Sequence, residues 1–334
     1  MNIYDIAKLA NVSIATVSRV VNNSPNVSEK TKKKVLEIME CEGYTPNAFA
    51  RSLGLGSMKT IGIVCPDVSD LYMARAVGAI EEELKQYEYQ TLLMCSGYKQ
   101  EQKEECVQVL MSKKVDALIL IGSTYADDGN ASKKTSYIEE TAKSVPVFLV
   151  NGSLPYENVY TACCDDYQST YEATTALLNH NCTNILFLHN SNSYSAIQKM
   201  HGYEQALRDH NQPVLGEMKV FVKNEIYHVR DLFLTKKDIV FDGVVATEDS
   251  LAVGILKYAK AAQINVPKDL KVIGYNNSFL AECCEPELSS VDSKGKELCR
   301  YTIEKLLGVL GGSEEVEGEI CLQGELIRRC TTDF

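Results

Sequence analysis

The chain reads YDIAKLANVSIATVSRVVN at residues 4–22, a pattern of two short helices joined by a tight turn. Ile6, Leu9 and Ala10 are spaced to share one buried face of the first helix. Asn11 tolerates the left-handed backbone of a turn, and Ser13 is a suitable N-cap for the second helix. A third helix is predicted between Ser28 and Gly43. The pattern therefore predicts a three-helix head that contains a helix-turn-helix unit.

The second helix of such a unit lies in the major groove of DNA, with its N-terminal residues facing the base edges. Here those residues include Ile14 and Ala15, which can offer only apolar contacts. Arg19 can donate hydrogen bonds to a guanine or a phosphate. On the helix pattern alone, a small helical module that binds protein instead of DNA stays open as an alternative.

The charge of the chain is divided unevenly. The net charge is −11 over 334 residues. The first 60 residues contain eight Lys and Arg against five Asp and Glu, a net charge of +3, which leaves −14 on the remainder. A basic head on an acidic body is typical of a protein that binds nucleic acid through its head alone.

Composition excludes several other classes. With 45% hydrophobic and 24% charged residues, the chain can form buried cores, and its length predicts two or three domains. No apolar run reaches the roughly 18 residues of a membrane span, and the N-terminus does not have the pattern of a secretory signal. We therefore expect a cytoplasmic protein without membrane contact. The 12 cysteines form no Cys-x-x-Cys pair, so we expect reduced thiols, no metal site and no cofactor.

From residue 60 onward, apolar strand-like runs alternate with stretches that are compatible with helices. This alternation predicts parallel sheets with helices on both faces. We expect an α/β core of two doubly wound parallel-sheet lobes behind the small all-α head. The predicted strands are Thr60–Cys65, Gln90–Cys95, Ala117–Ile121 and Pro146–Val150 in the first series, and Asn184–Leu188, Lys219–Val222, Gly243–Thr247 and Lys271–Tyr275 in the second.

Polar side chains follow several of these strands, at the edge where open α/β sheets bind their ligands. They are Asp67, Ser69, Asp70, Tyr72, Asn151, Glu248, Asp249 and Asn276. A crevice lined by such groups can hold a polyol or sugar through hydrogen bonds. Two structural alternatives stay open: these side chains are solvated or bridge the lobes, and Asp249 is the N-cap of a helix over Ser250–Ala261.

The motifs of enzymes of this fold class are missing. The chain has no Gly-x-Gly-x-x-Gly turn after the first strand, no P-loop and no Gly-x-Ser-x-Gly elbow. The adjacent carboxylates Asp127-Asp128 and Asp165-Asp166 are expected at the surface. We therefore predict no catalytic residues and no enzyme activity.

Residues 4–22, together with Val27-Ser28, Gly43-Tyr44-x-Pro46-Asn47 and Ala50-Arg51-x-Leu53, strongly resemble the head of the lac/galactose repressor family. Ile61-Gly62-Ile63 and Val272-Ile273-Gly274-Tyr275 extend the resemblance into the body, so that it spans essentially the whole chain. It implies a core similar to periplasmic sugar-binding proteins. It also implies a hinge helix from Asn47 to Leu53, with Leu53 as an apolar wedge in the minor groove.

The resemblance and the helix pattern together define the predicted regions. The helix-turn-helix domain covers residues 1–46, the hinge helix and linker 47–59, and the core 60–334. The first lobe is expected at about 60–158 and 288–317, and the second at about 159–287 and 318–334. The predicted DNA-binding residues are Ser13, Ile14, Ala15, Thr16, Ser18, Arg19, Asn22, Asn26, Tyr44, Asn47, Ala50 and Leu53.

The predicted effector cleft departs from the pattern of the family. Lys199 stands where an arginine is common, Glu248 where an asparagine is common, and Asn276 where an aspartate is common. Asn151 and Ser293 replace a frequent aspartate and glutamine. An ordinary hexose is therefore not the expected effector, and a sugar phosphate, nucleoside, purine or other sugar stays open. Two roles stay open for Lys199 and Glu248: they contact a ligand, or they pair with each other across the cleft. The predicted effector-binding residues are Asp67, Ser69, Asp70, Tyr72, Asn151, Lys199, Glu248, Asp249, Asn276 and Ser293.

These features predict a sequence-specific transcriptional regulator, a repressor, that binds an inverted-repeat DNA operator as a homodimer under the control of a small effector. The sequence ends at Asp333-Phe334 without the heptad repeat of the family's tetramers, so a dimer is expected. The alternative is a solute-sensing module that is controlled by a partner protein or has no effector.

Overall fold

A computed structural model describes residues 1–21, 24–44, 57–126, 134–236, 238–313 and 318–334. The head contains the helices Ile3–Ala10, Ile14–Val21 and Glu29–Cys41. The predicted three-helix head is therefore confirmed.

Local chemistry explains where these helices begin and end. Asn11 has a φ of 54°, the left-handed conformation that a tight turn requires. The Ser13 hydroxyl oxygen accepts a hydrogen bond from the Thr16 amide at 3.1 Å, and Ser28 accepts one from the Thr31 amide at 3.3 Å. Both serines are N-caps, as the sequence predicts.

The three helices enclose a small apolar core. Its fully or nearly buried members are Ile6, Ala7, Ala10, Val17, Val20, Val35 and Met39. The prediction that Leu9 faces this core is wrong, because its side chain is 51% exposed. Ala7 occupies the buried face instead, since a side chain this small allows the helices to approach closely.

The first lobe is built on a six-stranded parallel sheet with the spatial order β2-β1-β3-β4-β5-β11. Its strands are β1 (Thr60–Cys65), β2 (Gln90–Cys95), β3 (Ala117–Ile121), β4 (Val147–Val150), β5 (Val159–Cys164) and β11 (Glu319–Leu322). Helices Leu71–Gln86, Gln100–Ser112, Ser136–Ala142 and Gly295–Leu310 belong to this lobe. β3 and β4 are buried along their whole length because helices cover both faces of the sheet.

The second lobe has a six-stranded sheet with the order β7-β6-β8-β9-β10-β12, in which only the β10–β12 pair is antiparallel. Its strands are β6 (Ile185–His189), β7 (Lys219–Phe221), β8 (Gly243–Ala246), β9 (Lys271–Tyr275), β10 (Ser289–Asp292) and β12 (Glu325–Ile327). Its helices are Asp166–Asn179, Tyr194–Asp209, Ile226–Thr235, Asp249–Ala261 and Phe279–Cys283. Every strand predicted from the sequence is present in one of the two sheets.

The strand pairing corrects the expected lobe boundaries. β5 pairs with β4, β10 with β9, and β11 with β5, so each of these strands stays in the lobe that precedes it in the chain. The chain therefore crosses between the lobes at residues 164–166, 292–295 and 322–325, a few residues later than expected. The first lobe comprises about 60–164 and 295–322, and the second about 166–292 and 325–334. Across the described ranges, none of the helices is long and apolar enough to span a membrane.

Candidate nucleic-acid interface and interlobe cleft

The second head helix presents its N-terminal half to solvent. Ile14 is 42% exposed although it is apolar, and Ala15 and Arg19 are exposed beside it. Val17 and Val20 fix the opposite face of the helix in the head core. Because one face of this short helix packs on the head core and the other is exposed, the helix can enter a DNA groove without a change in the fold of the head.

The other predicted head residues divide by position. Ser13 and Asn26 are exposed, whereas Thr16, Ser18 and Tyr44 are partly buried. Asn22, Asn47, Ala50 and Leu53 lie outside the described residues, and so does the whole of the predicted hinge helix.

The linker joins the first lobe through one carboxylate. The Asp116 side chain accepts hydrogen bonds from the Met58 amide at 2.9 Å, the Thr60 amide at 2.9 Å and the Ser57 hydroxyl at 3.0 Å. Asp116 directly precedes β3, a strand of the first sheet. The segment that follows the predicted hinge is therefore fixed to the lobe whose movement would be transmitted to the head.

Three predicted effector residues form one hydrogen-bonded chain on the second lobe. The Ser293 hydroxyl donates to the Asn276 amide oxygen at 3.1 Å, and the Asn276 amide nitrogen donates to the Glu248 carboxylate at 2.7 Å. Burial raises the pKa of Glu248 to about 8, and the nearby charge of Lys199 only partly opposes this effect. Glu248 is therefore mostly protonated at neutral pH.

The pairing of Lys199 with Glu248, one of the two roles left open by the sequence, is wrong. The Lys199 ammonium lies 3.8 Å from the Asp166 carboxylate, 3.4 Å from the Thr247 carbonyl oxygen and 3.6 Å from the centre of the Tyr275 ring. The Tyr275 hydroxyl donates a 2.6 Å hydrogen bond to Asp166, which is only 4% exposed, so the expectation that Asp166 lies at the surface is wrong. Lys199 and Glu248 also belong to the same lobe, so no pairing between them could span the cleft.

The alternative role of Asp249 as an N-cap is also wrong. The helix begins at Asp249 itself, and Glu248 holds the N-cap position without a side-chain hydrogen bond to the helix. The Asp249 carboxylate instead accepts hydrogen bonds from the Ser278 amide and the Ser290 hydroxyl, both at 2.6 Å. This buried carboxylate joins the connections after two neighbouring strands and is a structural group of the second lobe.

On the first lobe, two predicted carboxylates have local partners. Asp67 accepts two hydrogen bonds from Ser69, and Asp70 is the N-cap of the helix Leu71–Gln86. The Tyr72 hydroxyl is buried and has no hydrogen-bond partner within the described part of the chain. Asn151 adopts a φ of 66° directly after β4.

Burial raises the pKa of Tyr72 well above its usual value, and the charges of Asp166 and Glu248 in the second lobe add to the effect.

A cavity of about 360 Å³ opens between residues of the two lobes, and its described lining includes none of the ten predicted effector-binding residues. The Ser123 hydroxyl donates to the Ser193 hydroxyl at 2.9 Å across it, and Tyr98, Tyr125 and Tyr194 also line it. The signal was present in the sequence, since Tyr98, Ser123 and Ser193 also follow predicted strands. Among the residues described, no three His, Cys, Asp or Glu side chains are grouped to hold a metal ion.

A helix-turn-helix head followed by two α/β lobes with a cleft between them is the architecture of a class of DNA-binding regulators. The comparisons agree with this class. Residues 2–47 match the model of bacterial regulatory proteins of the lacI family, and residues 174–332 match that of the periplasmic binding protein-like domain.

A transcriptional regulator of the helix-turn-helix type from Lachnoclostridium phytofermentans is 44% identical, and the alignment covers 100% of both chains. Catabolite control protein A of Priestia megaterium is 32% identical over 87% of both chains. The chain therefore belongs to the lacI family and is a DNA-binding transcriptional regulator.

Among solved structures, the lac repressor dimer bound to operator and an anti-inducer superposes with a TM-score of 0.86 at 23% identity over 99% of both chains. This similarity confirms the predicted fold of a small helical head and two α/β lobes. The curated relatives are regulators, which confirms the prediction that the chain is not an enzyme.

Proposed function

We propose that this regulator is a repressor that binds an inverted-repeat operator as a homodimer, and that a small polar effector in the interlobe cleft controls its affinity for DNA. The observation that carries the proposal is the exposed N-terminal half of the helix Ile14–Val21, which is held on a compact head. Two such heads on one dimer would read two half-sites about one helical turn apart.

The surface of the first lobe supports the homodimer. Leu92 and Leu93 on the edge strand β2 are 38% and 43% exposed, and Tyr87 nearby in sequence is 49% exposed. Exposed apolar side chains on a sheet edge favour association with another chain. The lac repressor, whose fold this chain shares, has been solved as a dimer bound to its operator.

The cleft supports an effector that contacts both lobes. Its cavity lies within the usual range for small-molecule sites, and it has polar groups from both sides. A ligand that replaces the direct 2.9 Å hydrogen bond between Ser123 and Ser193 would favour a different separation of the lobes. Because Asp116 fixes the linker to the first lobe, such a movement would reach the hinge segments and the heads.

Footprinting of the purified full-length protein on genomic DNA at physiological salt tests the DNA part of the proposal. We expect protection of sites with two half-sites in inverted order. Equal protection of all sequences would overturn operator recognition.

A thermal-shift screen of sugars, sugar phosphates, nucleosides and purines tests the effector, because a ligand that binds only the native state raises the apparent stability. A second candidate, control by a partner protein or by no effector, is favoured by one observation. Asn276 is hydrogen-bonded to both Glu248 and Ser293, and Asp67 accepts a hydrogen bond from Ser69, so these predicted effector residues already have protein partners. If no compound shifts the melting temperature, this second candidate replaces the first.

A further inference from the structure

Two cysteines occupy matching positions on the last two strands at one edge of the first sheet. Cys163 of β5 and Cys321 of β11 are direct partners in the parallel register. Burial raises the pKa of the Cys163 thiol, and the neighbouring Cys321 thiol adds to the effect.

The backbone geometry suits a covalent bond between them. Neighbouring strands lie about 4.8 Å apart, and disulfides join residues whose Cα atoms are about 4.4–6.8 Å apart. Partners in register on parallel strands project from the same face of the sheet. Cys164 projects from the opposite face, where its sulfur lies 3.7 Å from the Ser169 hydroxyl and 3.9 Å from the Tyr275 hydroxyl. Cys163 is therefore the cysteine of β5 that can reach Cys321.

The two thiols differ in exposure. Cys321 is exposed, whereas the Cys163 side chain is 5% exposed. This arrangement gives one thiol that a small oxidant can reach and one buried thiol that can attack the oxidised product. We propose that Cys163 and Cys321 form a reversible redox site, in which a peroxide converts the dithiol into a disulfide.

The reaction takes two steps and is balanced. The Cys321 thiol first releases its proton, and its thiolate attacks one oxygen of hydrogen peroxide. The O–O bond breaks, Cys321 becomes a sulfenic acid, and the departing hydroxide takes up the released proton to form water. The Cys163 sulfur then attacks the Cys321 sulfur, the S–O bond breaks, and the hydroxide leaves with the Cys163 proton as a second water. Two electrons pass from the two thiols to the peroxide, and a dithiol reductant reverses the change.

The position of the pair gives the bond a consequence for the lobes. The chain crosses to the second lobe immediately after β5 and again after β11. The Asp165 amide donates to the Leu322 carbonyl oxygen at 2.8 Å, so the two crossing segments already touch. Cys163 lies two residues before Asp165, and Cys321 lies one residue before Leu322. A disulfide between the two cysteines would link two of the three crossing segments and restrict the relative movement of the lobes.

The surroundings set the rate of the reaction. Burial raises the pKa of Cys321, and the carboxylates of Asp165, Glu319 and Asp166 raise it further. Because the thiolate is the nucleophile, oxidation is expected to be slow at neutral pH and to accelerate as the pH rises. This property is suited to a response to sustained peroxide exposure.

The test uses the full-length protein with Cys95→Ser. This change removes a second in-register cysteine pair, because Cys95 of β2 is the partner of Cys65 of β1. The protein is treated with hydrogen peroxide, alkylated and digested with trypsin without reduction. We expect the peptides 144–199 and 306–328 to be linked, and fragmentation to assign the bond to Cys163 and Cys321. Dithiothreitol should abolish the link. Hydrogen exchange at the amides of residues 165 and 324 should slow by at least about tenfold in the oxidised protein.

Cys321→Ser should lose both the link and the slower exchange. The matched control Cys330→Ser removes another exposed cysteine and should keep both. A link from Cys321 to Cys164 or Cys182, or conversion of Cys321 to a sulfinic acid without any link, would overturn the proposal. The link without slower exchange would overturn its effect on the lobes.

Discussion

The Lys199 ammonium lies 3.8 Å from the Asp166 carboxylate, and the two side chains are only 6% and 4% exposed. Asp166 begins the helix that follows the first crossing between the lobes, and Lys199 lies on the next helix of the second lobe. The ion pair therefore connects the first helix of the second lobe to the helix that follows it in the sequence. A buried pair of this kind is costly to break, because the remaining charge has no access to water.

We predict that Lys199→Met destabilises the protein by about 3 kcal/mol, since Asp166 loses its cation in a buried position. Asp166→Asn combined with Lys199→Met should cost less than the sum of the two single changes. Urea denaturation of the four proteins measures this coupling. Lys143→Met, which removes a lysine from an exposed pair, should have little effect. Strict additivity of the single changes would show that the two residues do not interact.

Because the pKa of Glu248 is raised, we expect the stability of the protein to depend on pH. Its pKa is raised by burial to about 8 in the folded protein, above the value of 4.5 for an exposed glutamate. The folded state therefore holds the proton more tightly than the unfolded state. The stability that this provides is complete below pH 4.5 and is lost as the pH rises to about 8.

Because glutamine does not ionise, Glu248→Gln should gain stability relative to the natural protein by up to about 1.4 kcal/mol per pH unit in this window. Melting temperatures between pH 5 and pH 9 check the slope. The same change at the exposed residue Glu140 should leave the pH profile unchanged. Parallel profiles for Glu248→Gln and the natural protein would contradict the assignment of a proton to Glu248.

Asp116 predicts where the linker is fixed. Asp116→Ala removes the acceptor for the Met58 and Thr60 amides, so their hydrogen exchange should become at least about tenfold faster. Asp116→Asn keeps one side-chain carbonyl oxygen as an acceptor, so the increase in hydrogen exchange should be smaller. Asp67→Ala is the matched control, since Asp67 binds only its own loop at Ser69. Unchanged exchange at residue 60 in Asp116→Ala would contradict this anchoring role.

Central strands were predictable because burial on both faces leaves a simple signal, whereas β5, β10, β11 and β12 were not predicted from the sequence. Ala117–Ile121 is apolar at every position, and helices cover both of its faces. The head was predictable from its caps, since Ser13 and Ser28 each satisfy a free amide at the start of a helix. The predicted lobe boundaries were less accurate than the predicted strands. A strand that precedes a crossing between the lobes has the same sequence pattern as one that follows it.

The partners of polar side chains were not predictable in the same way. Lys199 and Asp166 are 33 positions apart in sequence and meet only because two helices of the second lobe pack together. Asp249 resembles an N-cap in the sequence, but its carboxylate binds Ser278 in the connection after β9 and Ser290 in strand β10. The sequence could predict that polar groups would collect at this edge, but the pairing among them depends on the final packing.

The exposed edge of β2 predicts the site of dimer formation. Leu93→Asp places a charge on an apolar surface and should convert a dimer into a monomer in sedimentation experiments. Leu215→Asp changes a leucine of similar exposure on the second lobe and should leave the dimer intact. If Leu93→Asp remains dimeric, the two copies associate through another surface.

Arg19 predicts how the head distinguishes DNA sequences. The residue is exposed near the end of the helix Ile14–Val21, where its guanidinium can donate two hydrogen bonds to a guanine. Arg19→Ala should weaken binding to the footprinted site by about 1–3 kcal/mol, and binding to unrelated DNA by much less. Fluorescence titrations with both DNAs over a range of salt concentrations measure the two affinities. Arg208→Ala removes the same charge from the second lobe and should alter neither. An equal loss on specific and unrelated DNA would assign Arg19 to a phosphate, because phosphate contacts are the same for every sequence.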